Sequence, residues 1–254
     1  MTEDEIILTN ILKCNSIDLI VHKPVLNASQ QEQFQEYKRR RLNGEPLQYI
    51  LGTANFMGLE LMVNPSVLVP RPETEQLVDQ TLQCFKGGLV LDIGTGSGNI
   101  AIALAKFVDD CSIISIDISV DAQRIARINA KQHHVENKIQ FINIDLAKLN
   151  LNTQFDLIIS NPPYIPTAKL NTLPQDVRQE PRVALDGGTD GLDFYRQIIK
   201  STPSLLREGA CLMMEFGDGQ AESLKKLLKA QALFSEIEIF QDLARRDRII
   251  KAIR

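Results

Sequence analysis

The sequence lacks several features that mark particular classes of protein. It contains no tryptophan and no CxxC pair, and its four cysteines stand far from one another and from any histidine. Zinc sites and disulfide frameworks need closely spaced cysteine and histidine ligands or paired cysteines, so we expect neither, and no metal site is predicted. We expect the four cysteines to be reduced thiols in a cytoplasmic protein.

Long apolar runs and an N-terminal basic segment are missing as well. No run approaches the roughly 18 residues of a membrane helix, so no membrane partner is expected. Residues 1–10 hold three acidic residues and no lysine or arginine, the wrong charge for a secretory or mitochondrial leader. The 28 basic and 32 acidic residues give a formal net charge of −4. That balance argues against binding duplex nucleic acid by bulk charge and leaves only a local basic groove open.

Residues 2–51 predict a set of short helices. Two residue pairs, Thr2 with Glu5 and Ser29 with Glu32, have the spacing of a capping box ahead of apolar residues at helical intervals. Proline and glycine between and after these segments fit helix starts and stops. The sequence therefore predicts a small helical domain at the N-terminus.

The pattern changes after the helices. Residues 56–63 predict a short hairpin, and a proline-rich connector follows. Helical and strand-like segments then alternate, and the strand-like ones are uninterrupted apolar runs, typical of strands covered on both faces in a mostly parallel sheet. Two final strand-like segments, 237–240 and 248–253, have no helix between them, which implies one antiparallel strand. We predict an N-terminal helical domain with its hairpin connector at residues 1–70 and an α/β domain at residues 71–254.

The strongest local pattern is the run DIGTGSG at residues 92–98, between a strand-like and a helical segment. Glycines there let the backbone turn sharply and approach a ligand at the sheet edge where open α/β folds bind ligands. A dinucleotide fingerprint needs a glycine where Asn99 stands, so the run suits S-adenosylmethionine (AdoMet) better. Asp92 is expected near the amino or sulfonium end of AdoMet. The residues of this run predicted to bind the ligand are Asp92, Gly94, Thr95, Gly96, Ser97 and Gly98.

Two further carboxylates follow the next two strand-like segments. Asp117 stands 19 residues after Gly98, where a carboxylate can accept hydrogen bonds from both ribose hydroxyls, although it could instead cap the next helix. Asp145 and Leu146 follow the third segment, where Asp145 could accept a hydrogen bond from the adenine amino group. Acidic residues at three successive strand ends strengthen the prediction of a nucleoside ligand.

The second anchor is the run Asn161-Pro162-Pro163-Tyr164, which an apolar segment delivers to the same rim. The Asn161 side-chain carbonyl and the backbone carbonyls of the stiff proline pair can accept both hydrogens of a planar NH₂ group, and Tyr164 offers a face for stacking. Holding both hydrogens orients a poor nitrogen nucleophile and favours the charge that develops on it. We predict Asn161, Pro162 and Tyr164 as catalytic residues, all four as substrate-binding residues, and Asn161 also as a cofactor contact. The alternative is a rigid turn without chemistry.

These motifs resemble AdoMet-dependent methyltransferases of the Rossmann-like class. Within that class the chain resembles the HemK/PrmC family, the peptide chain release factor glutamine methyltransferases. The resemblance covers nearly the whole chain, and its segments are residues 44–52, 68–75, 91–98, 160–165, 180–188, 190–195 and 242–248. The runs PRPETE and EPRVALDGG are the most specific of them. The resemblance implies a Rossmann-like methyltransferase sheet, mostly parallel, with one antiparallel C-terminal strand.

The resemblance also implies an activity. A methyl group would pass from AdoMet, leaving S-adenosylhomocysteine, to the side-chain amide nitrogen of the glutamine in the Gly-Gly-Gln loop of release factors. The glycine loop and Asp117 would bind AdoMet, Asp145 and Leu146 would lie near adenine, and residues 161–164 would hold the glutamine. The helical domain would contact the release factor. We expect a cytoplasmic monomer with no stable nucleic-acid partner. Three connector residues would line the cofactor edge: Arg71, Glu73 and Thr74.

Two positions depart from the family pattern. Leu146 stands where relatives often carry an aromatic residue, which would weaken stacking on adenine. Arg245 stands where a glycine is usual, which bears on the geometry of the last turn and leaves the chemistry untouched.

Two other functions compete with this reading. One is a nucleic-acid methyltransferase acting on the exocyclic amine of adenine (N6) or guanine (N2), which would need an exposed base and a basic path. The net charge of −4 and the small N-terminal region argue against it. The other is a non-catalytic AdoMet- or nucleotide-binding module, which loss of Asn161 or of the glycines would have indicated. A dehydrogenase is disfavoured by Asn99.

Overall fold

The structure is a computed structural model that describes residues 1–149 and 151–254. Its N-terminal part is helical, as the sequence predicts. The helices are α1 (Glu3–Leu12), α2 (Ser16–His22), α3 (Ala28–Leu42) and α4 (Leu47–Leu51).

One of the two predicted capping boxes is confirmed and the other is wrong. Thr2 and Glu5 exchange reciprocal side-chain-to-backbone hydrogen bonds of 2.7 and 3.2 Å at the start of α1. Helix α3 instead begins with Asn27 as its N-cap, and Asn27 and Gln30 form the reciprocal pair at 2.9 and 3.0 Å. Asn27 caps as well as serine does and adds about half a turn to the helix, so Ser29 lies inside its first turn.

The predicted hairpin is confirmed, although it starts three residues earlier than expected. Strands β1 (Thr53–Phe56) and β2 (Leu59–Met62) pair antiparallel, and Met57 and Gly58 between them have φ of 51° and 78°. Positive φ at both turn residues matches the right-handed twist of the two strands. Phe56 and Leu61 are fully buried in the core that the following α/β unit builds, so the hairpin is anchored to that unit.

The alternating part of the chain forms helices and strands in the predicted order. The helices are α5 (Pro72–Cys84), α6 (Asn99–Phe107), α7 (Val120–Gln132), α8 (Asp193–Leu205) and α9 (Ala221–Ala230). The strands are β3 (Gly88–Ile93), β4 (Cys111–Asp117), β5 (Ile139–Asn143), β6 (Phe155–Ser160), β7 (Leu206–Glu215), β8 (Glu236–Gln241) and β9 (Asp247–Ile253).

These strands form one sheet in the order β5-β4-β3-β6-β7-β9-β8. Strands β3 to β7 pair parallel, whereas β9 runs antiparallel to both β7 and β8. The predicted Rossmann-like sheet with one antiparallel C-terminal strand is confirmed. The strand order reverses between β3 and β6, and ligands of such sheets bind outside the carboxyl ends of the strands at that reversal.

Helices cover both faces of the sheet. Val90 and Leu157 face one core, together with residues of α5, α6 and α7, while Leu91 and Ile158 face the other core with residues of α8 and α9. Successive side chains of a strand point to opposite faces, so strands between two cores are apolar at most positions on both faces. This explains why the strand-like segments of the sequence are uninterrupted apolar runs.

The structure bears on three features considered in the sequence: membrane helices, metal-binding groups and the four cysteines. Within residues 1–149 and 151–254, no helix has the length and apolar character needed to cross a membrane. Among these residues, no three His, Cys, Asp or Glu side chains are grouped so that they could hold a metal ion. The four cysteines are free thiols, and Cys111 and Cys211 are buried.

The turn between β8 and β9 contains position 245, where the family resemblance leads us to expect a glycine. Arg245 has a φ of 60°, in the left-handed region that a side chain disfavours, and its side chain is exposed. We expect Arg245→Gly to raise the free energy of unfolding by about 0.5–1 kcal/mol, because relief of the left-handed strain exceeds the entropy that glycine loses on folding. Urea unfolding of this variant beside Arg245→Ala measures the gain. A gain as large in Arg245→Ala, which keeps the Cβ, would contradict the explanation.

Candidate active site

A cavity opens outside the carboxyl ends of β3, β4, β5 and β6, at the reversal of strand order. Parallel strands end at one edge of the sheet, so the loops that follow them meet there. The cavity lining brings together most of the predicted site residues: Arg71, Thr74, Gly94, Thr95, Gly96, Ser97, Asp117, Asp145, Leu146, Asn161, Pro162 and Pro163. Four predicted residues are not part of the lining: Glu73, Asp92, Gly98 and Tyr164.

The glycines after β3 serve two different purposes. Gly94 and Gly96 have φ of 79° and 53°, and a Cβ added at either one would meet no protein atom within 4 Å. Both therefore allow the turn and leave room beside the loop. A Cβ at Gly98 would lie 2.9 Å from Ile102 Cδ1 and 3.1 Å from Ala126 Cβ. The third glycine thus permits close packing of α6 against α7, and its predicted direct contact with the cofactor is not part of this geometry.

Asp92 lies beneath the glycine loop and is fully buried. Its Oδ2 accepts hydrogen bonds from Thr95 Oγ1 at 2.8 Å and from Ser115 Oγ at 2.7 Å. Burial raises the pKa of the Asp92 carboxyl to about 6, and the two hydroxyl donors oppose that rise. Asp92 is not part of the cavity lining, so its expected contact with the amino or sulfonium end of the ligand stays a prediction. The residue is next to last in β3 and points into the packed interior, where it fixes the loop.

Asp117 ends β4 and lies at the cavity. Its Oδ2 accepts a hydrogen bond from the Gly96 backbone N–H at 2.9 Å, and its Oδ1 accepts one from the Ser119 N–H at 2.8 Å. The alternative that Asp117 caps the next helix is wrong, because Ser119 caps α7 through a bond from the Ala122 N–H to its hydroxyl. Burial raises the pKa of Asp117, and the backbone donors oppose the rise. The carboxylate ties the glycine loop to the loop after β4.

Asp145 and Leu146 form one side of the cavity after β5. The Asp145 carboxylate accepts a hydrogen bond from the Ala147 N–H at 2.9 Å, which starts a short 3₁₀ turn at Leu146. Leu146 is buried and lines the cavity together with Ile118 and Ile144. This side therefore offers an apolar surface with one carboxylate at its edge.

Asn161 follows β6 directly and faces the cavity. Its Nδ2 donates a hydrogen bond to Thr74 Oγ1 at 2.9 Å, and the Thr74 hydroxyl donates to Glu215 Oε2 at 2.6 Å. The amide nitrogen of Asn161 is thus engaged by the first turn of α5, which leaves Oδ1 as the acceptor for the cavity. Pro162 lies beside it in the lining.

Tyr164 does not offer the free face that the sequence predicts. The nearest ring atoms are 3.0 and 3.4 Å from where a Cβ on Gly217 would stand, and the hydroxyl lies 3.5 Å from Glu215 Oε1. The Tyr164 carbonyl accepts a hydrogen bond from Gln220 Nε2 at 3.0 Å. Burial raises the pKa of the Tyr164 hydroxyl. The ring packs against the core between the sheet and helices α8 and α9, which indicates a packing role in place of the expected stacking on a substrate.

A partly buried ion pair forms the connector side of the cavity. Arg71 pairs with Glu180, whose other oxygen accepts a hydrogen bond from the Val69 N–H at 3.0 Å. The residues after Glu180 add Pro181 and Val183 to the lining. Sequence reasoning missed Glu180 as part of the site. The high specificity of the segment from residue 180 to 188 was the only signal for it.

Glu215 is the second residue that sequence reasoning missed. It ends β7, is almost fully buried, and contacts Thr74. Burial raises the pKa of its carboxyl to about 7. The only sequence signal for Glu215 is that a single acidic residue follows the apolar run from Cys211 to Met214.

Comparison with known proteins identifies the family. Residues 2–52 match the family model of the PrmC N-terminal domain, and residues 73–185 match that of the methyltransferase small domain. The release factor glutamine methyltransferase of Geobacter sulfurreducens is 44% identical over 226 residues, which cover 87% of this chain and 78% of the relative. That of Clostridium acetobutylicum is 35% identical over 261 residues, covering 100% of this chain and 91% of the relative. The chain belongs to the release factor glutamine methyltransferase family.

Membership of this family confirms the resemblance drawn from the motifs and the prediction of an enzyme. The methyltransferase domain and the family indicate AdoMet-dependent catalysis. A methyltransferase structure from Pyrococcus furiosus has the same fold, with a TM-score of 0.59 and 18% identity over 89% of this chain and 98% of that one. The nucleic-acid and non-catalytic alternatives are not favoured by these comparisons.

Proposed function

We propose that the protein transfers a methyl group from AdoMet to the side-chain amide nitrogen of the glutamine in the Gly-Gly-Gln loop of release factors. The observation that carries the proposal is the position of Asn161. Its amide oxygen faces the same cavity as the glycine loop, and its nitrogen is held by Thr74. Relatives that cover most of the chain carry the name of this activity, which supports the class of substrate.

The cavity fits AdoMet better than a phosphate-bearing nucleotide. Among the described lining residues, Arg71 is the one basic side chain, and Glu180 neutralises it. A pyrophosphate would gain little from such a lining, whereas AdoMet carries no phosphate and needs no basic partner there. We assign the ribose hydroxyls to Asp117 and the adenine to Asp145 and Leu146. We assign the amino-acid end of AdoMet to the loop from residue 94 to 97, where the absence of side chains at Gly94 and Gly96 leaves space for the ligand.

The chain itself can orient a poorly nucleophilic amide nitrogen. Asn161 Oδ1 and the Pro162 carbonyl each accept one hydrogen of the glutamine NH₂ group. Both acceptors strengthen their hold as positive charge develops on that nitrogen, which lowers the barrier. Bound AdoMet supplies an electrophilic methyl group on a positively charged sulfur. Transfer would exchange the methyl–sulfur bond for a new N–C bond, and the glutamine nitrogen would then release one proton to solvent.

We assign recognition of the release factor to the N-terminal part of the chain, residues 1–70. Helix α2 presents exposed apolar side chains at Ile17, Ile20 and Val21, which suit contact with a protein. The same part contacts the segment that leads to the lining residues Pro181 and Val183, since Gln175 Nε2 donates to the Asn43 carbonyl at 3.0 Å. The boundary at residue 70 stays a prediction, as do the monomeric state and the cytoplasmic location.

A transfer assay tests the proposal. Purified protein with methyl-labelled AdoMet is expected to label a release factor and to leave unlabelled the same factor with its Gly-Gly-Gln glutamine changed to alanine. Mass spectrometry of the labelled peptide should place one methyl group on the glutamine side chain. Label in the alanine version would contradict the proposed acceptor, and label in added tRNA or DNA would replace the protein substrate by a nucleic acid.

A further inference from the structure

Three polar side chains, Asn161, Thr74 and Glu215, are joined by hydrogen bonds next to the cavity. Thr74 lies in the first turn of α5, Glu215 ends β7, and Asn161 follows β6. Thr74 and Glu215 are each about 1% exposed, so water does not compete for their hydrogen bonds. The hydrogen bonds run from Asn161 Nδ2 to Thr74 Oγ1 at 2.9 Å and from the Thr74 hydroxyl to Glu215 Oε2 at 2.6 Å.

The direction of these hydrogen bonds follows from the number of protons. A hydroxyl has one proton, and an ionised carboxylate has none, so the Thr74 proton must point at Glu215. The Thr74 oxygen then presents only lone pairs to Asn161. The NH₂ group of the Asn161 amide can pair with those lone pairs, and its oxygen cannot. The amide is therefore turned so that Oδ1 meets the cavity.

We propose that Glu215 and Thr74 are positioning residues that fix the amide orientation of Asn161 during methyl transfer. This inference deepens the proposed function and rests on it. An Asn161 amide rotated by half a turn would point its NH₂ group at the glutamine NH₂ group, and two donors would then face each other. Neither Glu215 nor Thr74 needs to touch the glutamine for this effect.

Ionisation of Glu215 links this orientation to pH. The groups that act on its carboxyl are Thr74 and Glu73 from α5, Tyr164 from the loop after β6, and Arg248 from β9. Tyr195 of α8 donates to the Glu215 backbone carbonyl at 2.8 Å. Burial raises the pKa of Glu215 to about 7, Glu73 adds to the rise, and Thr74, Arg248 and Tyr164 oppose it.

Protonated Glu215 can donate to Thr74, whose own proton is then available to the Asn161 oxygen, so the amide can rotate. The active orientation belongs to the ionised carboxylate. The rate constant kcat should therefore rise with pH through about 7 and level off above that value.

Conservative variants test the inference with the full chain and a release factor as substrate. Thr74→Val removes the hydroxyl at nearly constant volume, and Glu215→Gln removes the charge. At about pH 8 we expect Thr74→Val to lower kcat about tenfold or more, while the Kd for AdoMet changes by less than about threefold in both variants. Thr74→Ser, which restores the hydroxyl, should recover kcat to within about threefold of the wild type. Glu215→Gln should also lose the rise of kcat through about pH 7.

Thr81→Val is the matched control. Thr81 is another buried threonine of α5, and its hydroxyl donates to the Leu77 carbonyl of its own helix at 2.7 Å. Its kcat and pH profile should match those of the wild type. Circular dichroism and the midpoint of thermal unfolding show whether each variant is folded. Equal kcat in Thr74→Val and Thr81→Val, or no rescue by Thr74→Ser, overturns the inference and leaves the proposed function standing.

A second measurement separates the two proposals. If the wild type fails to methylate the release factor, the proposed function fails. The amide orientation is then read by NMR from the Asn161 side-chain NH₂ protons, identified by their loss in Asn161→Asp. Slow hydrogen exchange and a contact to the Thr74 side chain in the wild type, with fast exchange in Thr74→Val, would support the positioning. Fast exchange in both proteins would overturn it.

Discussion

Replacing Asn161 by alanine is expected to lower kcat for methyl transfer by about 10²–10³-fold, a loss similar to that of one oriented polar group in other active sites. The substitution removes the side-chain acceptor that faces the cavity, while the carbonyl of Pro162 remains. The glutamine NH₂ group would then be held at one hydrogen, and its nitrogen would be poorly aligned. Single-turnover rates with saturating AdoMet measure this effect directly.

The same variant should change the Kd for AdoMet by less than about threefold, since the interaction is realised in the transition state. Titration of AdoMet in the absence of the release factor checks that value. Asn55→Ala is a suitable control, because Asn55 accepts a hydrogen bond from the Gly58 N–H within the hairpin and lies outside the cavity lining. Equal losses of rate and of AdoMet affinity in Asn161→Ala would place this residue in the cofactor site.

The fold could be predicted because its strands are covered on both faces. Short apolar runs such as residues 155–160 are typical of buried strands of a parallel sheet, and the structure has a strand over the same residues. The start of α3 could not be predicted reliably, because Asn27 and Ser29 are both good caps and the sequence contains a suitable partner for each. Tertiary packing does not separate two caps that lie half a turn apart.

The candidate site could be located from the sequence, although the direction of single side chains could not. Asp92 and Asp117 both stand near the end of a strand. Asp92 is followed by one more strand residue and turns into the core, whereas Asp117 is the last residue of its strand and reaches the cavity. Strand ends carry an uncertainty of one or two residues, and one residue decides the face.

The hydrogen bonds that hold the Asn161 amide could not be predicted from the sequence, for a different reason. Thr74 and Glu215 are separated by 141 residues, and neither belongs to the motif that they support. Their meeting depends on α5 packing against the end of β7, which no local pattern encodes. The proline-rich run before α5 gave the family resemblance, but the hydrogen-bond partners of Thr74 emerge only from the packed structure.

Asp117→Ala should weaken AdoMet binding about 100-fold, because each of two hydrogen bonds from ribose hydroxyls to a carboxylate contributes about 1.5 kcal/mol or more and a tenfold change corresponds to about 1.4 kcal/mol. The variant also releases the Gly96 and Ser119 N–H groups, which the carboxylate now holds at 2.9 and 2.8 Å. The glycine loop would then be less ordered before the ligand arrives, and the cost of ordering it would add to the loss of affinity.

The effect should fall on binding and much less on chemistry. At saturating AdoMet, kcat of Asp117→Ala should stay within about tenfold of the wild type, because Asn161 and the proline pair keep their places. Asp121→Ala is the matched control, since Asp121 is exposed at the start of α7 and pairs with Arg124 outside the cavity lining. Its Kd for AdoMet should equal that of the wild type. An Asp117→Ala protein that binds AdoMet normally would show that the ribose is held elsewhere. The proposed pose would then have to be turned so that the nucleoside lies away from β4.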